Sequence, residues 1–103
     1  MSGSLWHVTR DGTPAAPGAE GFVHASFTHQ LARTLEVHFA GTPGVELLLL
    51  DPGRLGAALR LEPSRDGADF PHVYRPLRAD DVLARVRLRR GADGRFSPGG
   101  LPA

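Results

Sequence analysis

Strand-like segments dominate this chain, and they do not alternate with helices in a regular βαβ order; together these two observations predict an α+β fold. A third narrows it. Only one stretch, Leu31 to Phe39, has convincing helical periodicity: Leu31, Leu35 and Phe39 recur on one side while Arg33 and Glu36 face water. The expectation from the residues is a strand-rich α+β domain with one main helix.

The elements follow in order. Leu5-Trp6-His7-Val8 reads as a first strand, with Trp6 and Val8 on one face and Leu5 and His7 on the other. Arg10 to Glu20, rich in Pro, Gly and Ala, reads as a loop. Phe22 and Val23 open a short extended run that ends at a strand–helix junction. There His24 and Ser26, two positions apart on one strand, share one face. Ser26 and Thr28 can cap the helix. Backbone donors at that helix start would suit an anionic ligand group. Gly41, in a left-handed cap, and Pro43 end the helix. Val45 to Leu50 is an apolar run interrupted only by Glu46, the pattern of a central strand covered on both faces. Asp51-Pro52 signals a short helical turn, Asp as cap and Pro at its first position. Leu59 to Glu62 alternates and stops at Pro63. Phe70 to Tyr74 is extended, since Pro71 and Pro76 bias their predecessors away from helix. Asp80-Asp81 could open one helical turn. Val82 to Leu88 alternates, placing Val82, Ala84, Val86 and Leu88 on one face of an edge or antiparallel strand.

The 103 residues point to a single domain, with a core over about residues 5–90 and a loose Gly/Pro-rich tail from 91 to 103. There is no cysteine, which rules out disulfides and thiolate metal sites. All 12 basic side chains are arginine, a coding bias rather than a functional signal. A formal charge of +1 does not suggest a nucleic-acid binder. No apolar run approaches the roughly 20 residues needed to span a membrane. No signal pattern opens the chain, and a cytoplasmic protein is expected.

Five histidines carry most of the chemical interest. His29 and His38 lie on the helix and read as surface or capping residues. His7, His24 and His72 sit in strands among apolar neighbours, where a histidine is commonly satisfied by one backbone carbonyl. None of the five shows zinc-site spacing, and no metal is expected. Glu62 is either a surface carboxylate beside Arg60 and Arg65 or a strand-end carboxylate facing a cleft. Tyr74 reads as a ring with its hydroxyl at the rim. Gly-rich phosphate loops and a G-x-S-x-G elbow are absent.

Four motifs in order, Gly21 to Ser26, His38 to Gly41, Leu61 to Arg65, and Phe70 to Leu77, resemble the family called domain of unknown function 952. The resemblance covers roughly residues 5 to 95 and implies the fold of the ADP-ribosyltransferases: two small, strongly bent antiparallel or mixed sheets with one main helix. A second resemblance agrees. Val23-His24-Ala25-Ser26, the helix after it, Val45 to Asp51, and Tyr74 to Pro76 are similar to the C-terminal half of RNA 2′-phosphotransferases, which use NAD in the same fold. By position, this implies His7 as the first-strand ribose contact, His24 and Ser26 as the second motif, and His72 and Tyr74 as the late strand. The usual catalytic Glu of ADP-ribosyltransferases lies on a late strand, and none stands beside His72 or Tyr74; Glu62 is the nearest carboxylate.

The expected activity is therefore transfer at the nicotinamide ribose of NAD or a related nucleotide. Glu62 would stabilise the oxocarbenium-like sugar. His24, His72 and Tyr74 complete the expected catalytic set. His7, Ser26 and Arg65 would bind cofactor, Arg65 through phosphate. The alternatives are a non-catalytic module binding a nucleotide or other small ligand in the same cleft, and a plain interaction domain with structural histidines.

Overall fold

The computed structural model describes residues 3–64, 67–98 and 101. Two antiparallel sheets and two short helices make up a small α+β fold. In the larger sheet, strand β1 (Leu5–Thr9) lies between β3 (Ser26–Phe27) and β4 (Gly44–Leu50), and β7 (Val82–Arg89) forms the far edge. In the smaller, β6 (Asp69–Val73) lies between β2 (Val23–His24) and β5 (Leu59–Pro63). Among the described residues no helix is long and apolar enough to cross a membrane.

The larger sheet is covered on both faces, as the apolar run in β4 requires. Trp6, Val8, Val45 and Leu47 pack under helix α1 (Leu31–His38), against Leu31 and Leu35. Leu5, Leu48 and Leu50 face the other way, onto Val23 and Val73 of the smaller sheet. Period-2 alternation in the strands thus feeds two apolar layers. The indole of Trp6 is only 1% exposed, and its Nε1–H donates to Thr28 Oγ1 at 2.8 Å, satisfying the one polar atom it buries.

Both ends of α1 differ from expectation. The chain enters through a tight turn at Thr28–Gln30 rather than a hydroxyl cap. Gln30 does the joining: its Oε1 accepts the Phe27 N–H at 3.0 Å and its Nε2 donates to the Asp69 carbonyl at 2.8 Å. At the other end Gly41 is not left-handed. The carbonyls just past the helix are instead satisfied by Arg90, which donates to Phe39 and Thr42, each at 2.7 Å, and to Ala40. A cation there also complements the negative end of the helix. Helix α2 (Pro52–Leu55) starts as expected, with Asp51 Oδ1 accepting the Gly53 N–H at 3.0 Å.

Two further departures shape the molecule. The strand through His24 and Ser26 is not continuous: His24 pairs with His72 in the smaller sheet, while Ser26 pairs with Trp6 in the larger. Ala25 makes the crossing, its N–H bonded to the Pro71 carbonyl at 3.1 Å. In β7, Leu49 pairs with Ala84 but Leu50 with Val82, leaving Leu83 bulged and 60% exposed. The extra residue flips the alternation, so Val82 packs between the sheets while Val86 and Leu88 pack on the α1 side. They do not share the single face that simple alternation predicts. The segment expected as a loose tail also docks on that side, through Phe96 and Leu101.

Asp81 closes the turn at Ala79–Asp81 and ties three segments together. Arg75 grips both of its oxygens, at 2.8 and 2.9 Å, and the Arg78 N–H donates to Oδ2 at 2.8 Å. The Asp81 carbonyl accepts the Asp51 N–H at 2.9 Å. The side chain is 2% exposed, and its carboxyl is pulled down to about 2, chiefly by the Arg75 bonds.

Candidate functional site

An open cavity of about 510 Å³ lies where the two sheets part. Its walls come from β1, β2 and β3, from the outward turns of α1, and from the Pro/Gly-rich loop before β2. His7, His24 and Ser26 all line it, although they stand on three strands of two different sheets. The crossing at Ala25 makes this arrangement: one residue beyond His24, the chain is in the other sheet but on the same cavity.

His7 is nine-tenths buried, and its Nδ1–H donates to the His24 carbonyl at 2.8 Å. That bond fixes the tautomer with Nε2 as the acceptor. Burial lowers the pKa of His7 below its ordinary value, so the ring is neutral near pH 7. Ser26 is buried, and its hydroxyl pairs with Thr34 of α1 at 2.7 Å. His24 is exposed; its Nε2 approaches the Glu20 carboxylate at 3.2 Å. Its ring lies 6.1 Å from the ring of His38, the last residue of α1.

The remaining expected residues form a second cluster beside the cavity. On the smaller sheet, Phe22, His24, His72 and Tyr74 alternate with the core-facing Val23 and Val73, and so share the outer face. Arg60 lies opposite His72 in the register, which puts Glu62 two residues along on that same face. Glu62 Oε1 accepts twice there, from the Tyr74 hydroxyl at 2.5 Å and from His72 Nδ1 at 2.8 Å. These bonds, Tyr74 first, hold the Glu62 carboxyl below its usual range, and the same contact pushes the Tyr74 phenol up. Arg60 sits 5.0 Å over the Tyr74 ring.

Phe22 joins the two groups. It lines the cavity, stacks on His72 with centroids 3.9 Å apart, and meets His24 edge-on at 4.9 Å. The cavity therefore receives His7, His24 and Ser26 directly, whereas Glu62, His72 and Tyr74 stand behind its aromatic wall. Arg65 lies outside the described residues. Among the described residues no three His, Cys, Asp or Glu side chains are grouped to hold a metal ion.

Sequence reasoning did not assign Arg10, Phe22, Thr34, His38 or Phe39 to the site, yet all five line the cavity. His38 and Phe39 fell within a quoted motif, but their place at the end of α1 suggested only surface or packing roles. The signal that could have drawn in Phe22 is its alternation with His24 on the same short strand.

No curated protein matches the chain. Among solved structures, the X-ray structure of protein CC0527 from Caulobacter crescentus is similar over 93% of this chain and 95% of that one, with a TM-score of 0.81 and 30% identity. The solution NMR structure of CC0527 gives a TM-score of 0.75 at 30% identity, over 92% and 91% of the two chains. The model of the family described as protein of unknown function (DUF952) matches residues 4–85, and the chain belongs to that family.

Proposed function

We propose that the cavity binds a nucleotide, with NAD as the ligand, in a fold of the ADP-ribosyltransferase type, and that the protein transfers the ribosyl group at the nicotinamide ribose. The observation that carries this reading is the meeting of His7, His24 and Ser26 on one cavity between two sheets. A volume of about 510 Å³ is within the range of small-molecule sites. A neutral His7 supplies an acceptor for a sugar hydroxyl, and Phe22 supplies an apolar wall.

In the reaction, the C1′–N bond to nicotinamide breaks and nicotinamide leaves with the electron pair. An acceptor nucleophile bonds to C1′ and gives up its proton. Glu62, kept ionised by Tyr74 and His72, would offset the positive charge that develops on the ribose. The nicotinamide end must then extend across Phe22 toward Tyr74. Calorimetric titration with NAD should give saturable binding in the micromolar to millimolar range. His24→Ala should weaken it, while Glu62→Gln should keep binding and abolish nicotinamide release. Absence of NAD binding would sink the reading.

A second reading is that the site binds a nucleotide without turning it over. It is favoured by the position of Glu62, which does not line the cavity. Tight NAD binding with no nicotinamide release from wild type would select it.

A further inference from the structure

The rim of the cavity carries nitrogen donors at Arg10 and His38 that the proposed sugar and ring contacts do not use. One carboxylate, Glu20, lines it, and that carboxylate is engaged with His24. Against it stand His24, His38 and Arg10. Arg10 has no carboxylate partner among the described residues. Its guanidinium lies 4.9 Å over the Phe39 ring, and one nitrogen reaches the His38 carbonyl at 3.5 Å, a long contact. Among the described residues the His38 ring makes no hydrogen bond; its one ring contact is with His24 at 6.1 Å. His38 also ends α1, where the helix dipole favours a cation. The chain of contacts orders these groups along the rim: Glu20, His24, His38, Arg10.

The geometry points to a phosphate clamp formed by Arg10, His38 and His24, which takes the pyrophosphate of a nucleoside diphosphate. A phosphate oxygen accepts from imidazole and guanidinium donors alike, and such charge-assisted bonds are about twice as strong as neutral ones. Arg10 is fixed at one end by Phe39, and His38 is fixed by the last turn of the helix, so the donors are held before the ligand arrives. The clamp deepens the nucleotide reading by giving the ligand a direction: its phosphates lie at the Arg10 end and its far sugar at the Phe22 end. Glu20 keeps the His24 end from taking a second anion.

The test uses inorganic pyrophosphate, ADP and adenosine as calorimetric probes of the whole chain. Pyrophosphate and ADP should bind saturably and adenosine at least about tenfold more weakly. Arg10→Ala and His38→Ala should each weaken pyrophosphate by about tenfold or more. His38→Gln, which keeps a neutral donor, should fall between wild type and His38→Ala. The groups that face the clamp are His7, His24, His38, Glu20 and Arg10, with His72 next to His24. Arg10 and His38 are exposed, and melting curves of the variants should match wild type, which separates lost binding from lost folding. If pyrophosphate gives no heat, or binds both alanine variants as well as wild type, the clamp is overturned. If pyrophosphate behaves as stated but NAD does not bind, the clamp stands and the NAD-linked function falls. If adenosine binds as tightly as ADP, the clamp fails while the nucleotide reading survives.

Discussion

Asp81 and Glu62 each accept more than one hydrogen bond, and their surroundings differ. Asp81 has both oxygens filled, by Arg75 and the Arg78 N–H, and is 2% exposed. Glu62 receives both of its bonds on Oε1, and among the described residues Oε2 takes none. Its side chain is 33% exposed, at the edge of an aromatic face that leads to the cavity. A saturated buried carboxylate is a fastener. A half-saturated one on a partly exposed face holds its charge and leaves one oxygen open. The difference comes from the elements: Asp81 ends a turn that folds back on its own backbone, whereas Glu62 lies in an edge strand with solvent beyond it.

The largest effect should come from breaking the fastener. Asp81→Asn removes the charge that Arg75 grips and can turn an amide NH2 toward the Arg78 N–H or the guanidinium in a buried place, and leaving a buried donor unsatisfied costs about 1–3 kcal/mol. Chemical denaturation should show that loss as a lower midpoint. A change no larger than that of an ordinary surface substitution would mean Asp81 is no more structural than Glu62, and the contrast would collapse.

Acid sharpens the same contrast. The Asp81 carboxyl is lowered from 3.8 to about 2 in the folded state. Its contribution is therefore complete above the unfolded value and is lost as pH falls through about 2. His7 acts at milder pH. Its folded pKa lies below the ordinary 6.5, so the unfolded chain binds the proton more readily. Stability should fall as pH drops below 6.5, well before Asp81 is protonated. In His7→Gln that first, gentler decline should vanish while the second remains. A wild-type stability curve flat from neutrality down to the carboxylate range would contradict the buried placement of His7.

The parts of the fold that could be read in advance rest on near neighbours in the chain. Leu31 and Leu35, the Val45–Leu50 run and the Asp51 cap are local patterns, and each lies as its pattern dictates. The missed features depend on distant partners. Arg90 caps α1 from about fifty residues away, and Gln30 reaches Asp69 across the two sheets. Leu83 bulges because β4 and β7 must both bury a face, which no count along β7 alone reveals. The cavity is similar: His24 and Ser26 could be singled out, but not the sheet crossing between them, nor the convergence of Arg10 and His38 from a loop and a helix end.

The smallest effect on stability, and the most direct view of the Glu62 side, should come from Glu62→Gln. Tyr74 is the chain's only tyrosine, so its phenol can be followed by ultraviolet absorbance with no other tyrosine contributing. In wild type the phenol titrates above its ordinary 10.0, first because its proton is held by Glu62, then through desolvation, and then because ionising it would set two negative charges together. Glutamine can still accept from the hydroxyl through its carbonyl, but it carries no charge. The Tyr74 titration should therefore move down toward 10.0 in Glu62→Gln, while the unfolding midpoint shifts far less than in Asp81→Asn. A titration that does not move would show that the Tyr74–Glu62 bond does not govern the phenol in solution. A large stability loss would show that Glu62 is a fastener like Asp81. Either result removes the reason to look for a ligand at the second oxygen. A downward shift with the fold intact means that wild type holds a charged carboxylate beside Tyr74 and His72, behind the Phe22 wall, as the proposed ribosyl transfer requires.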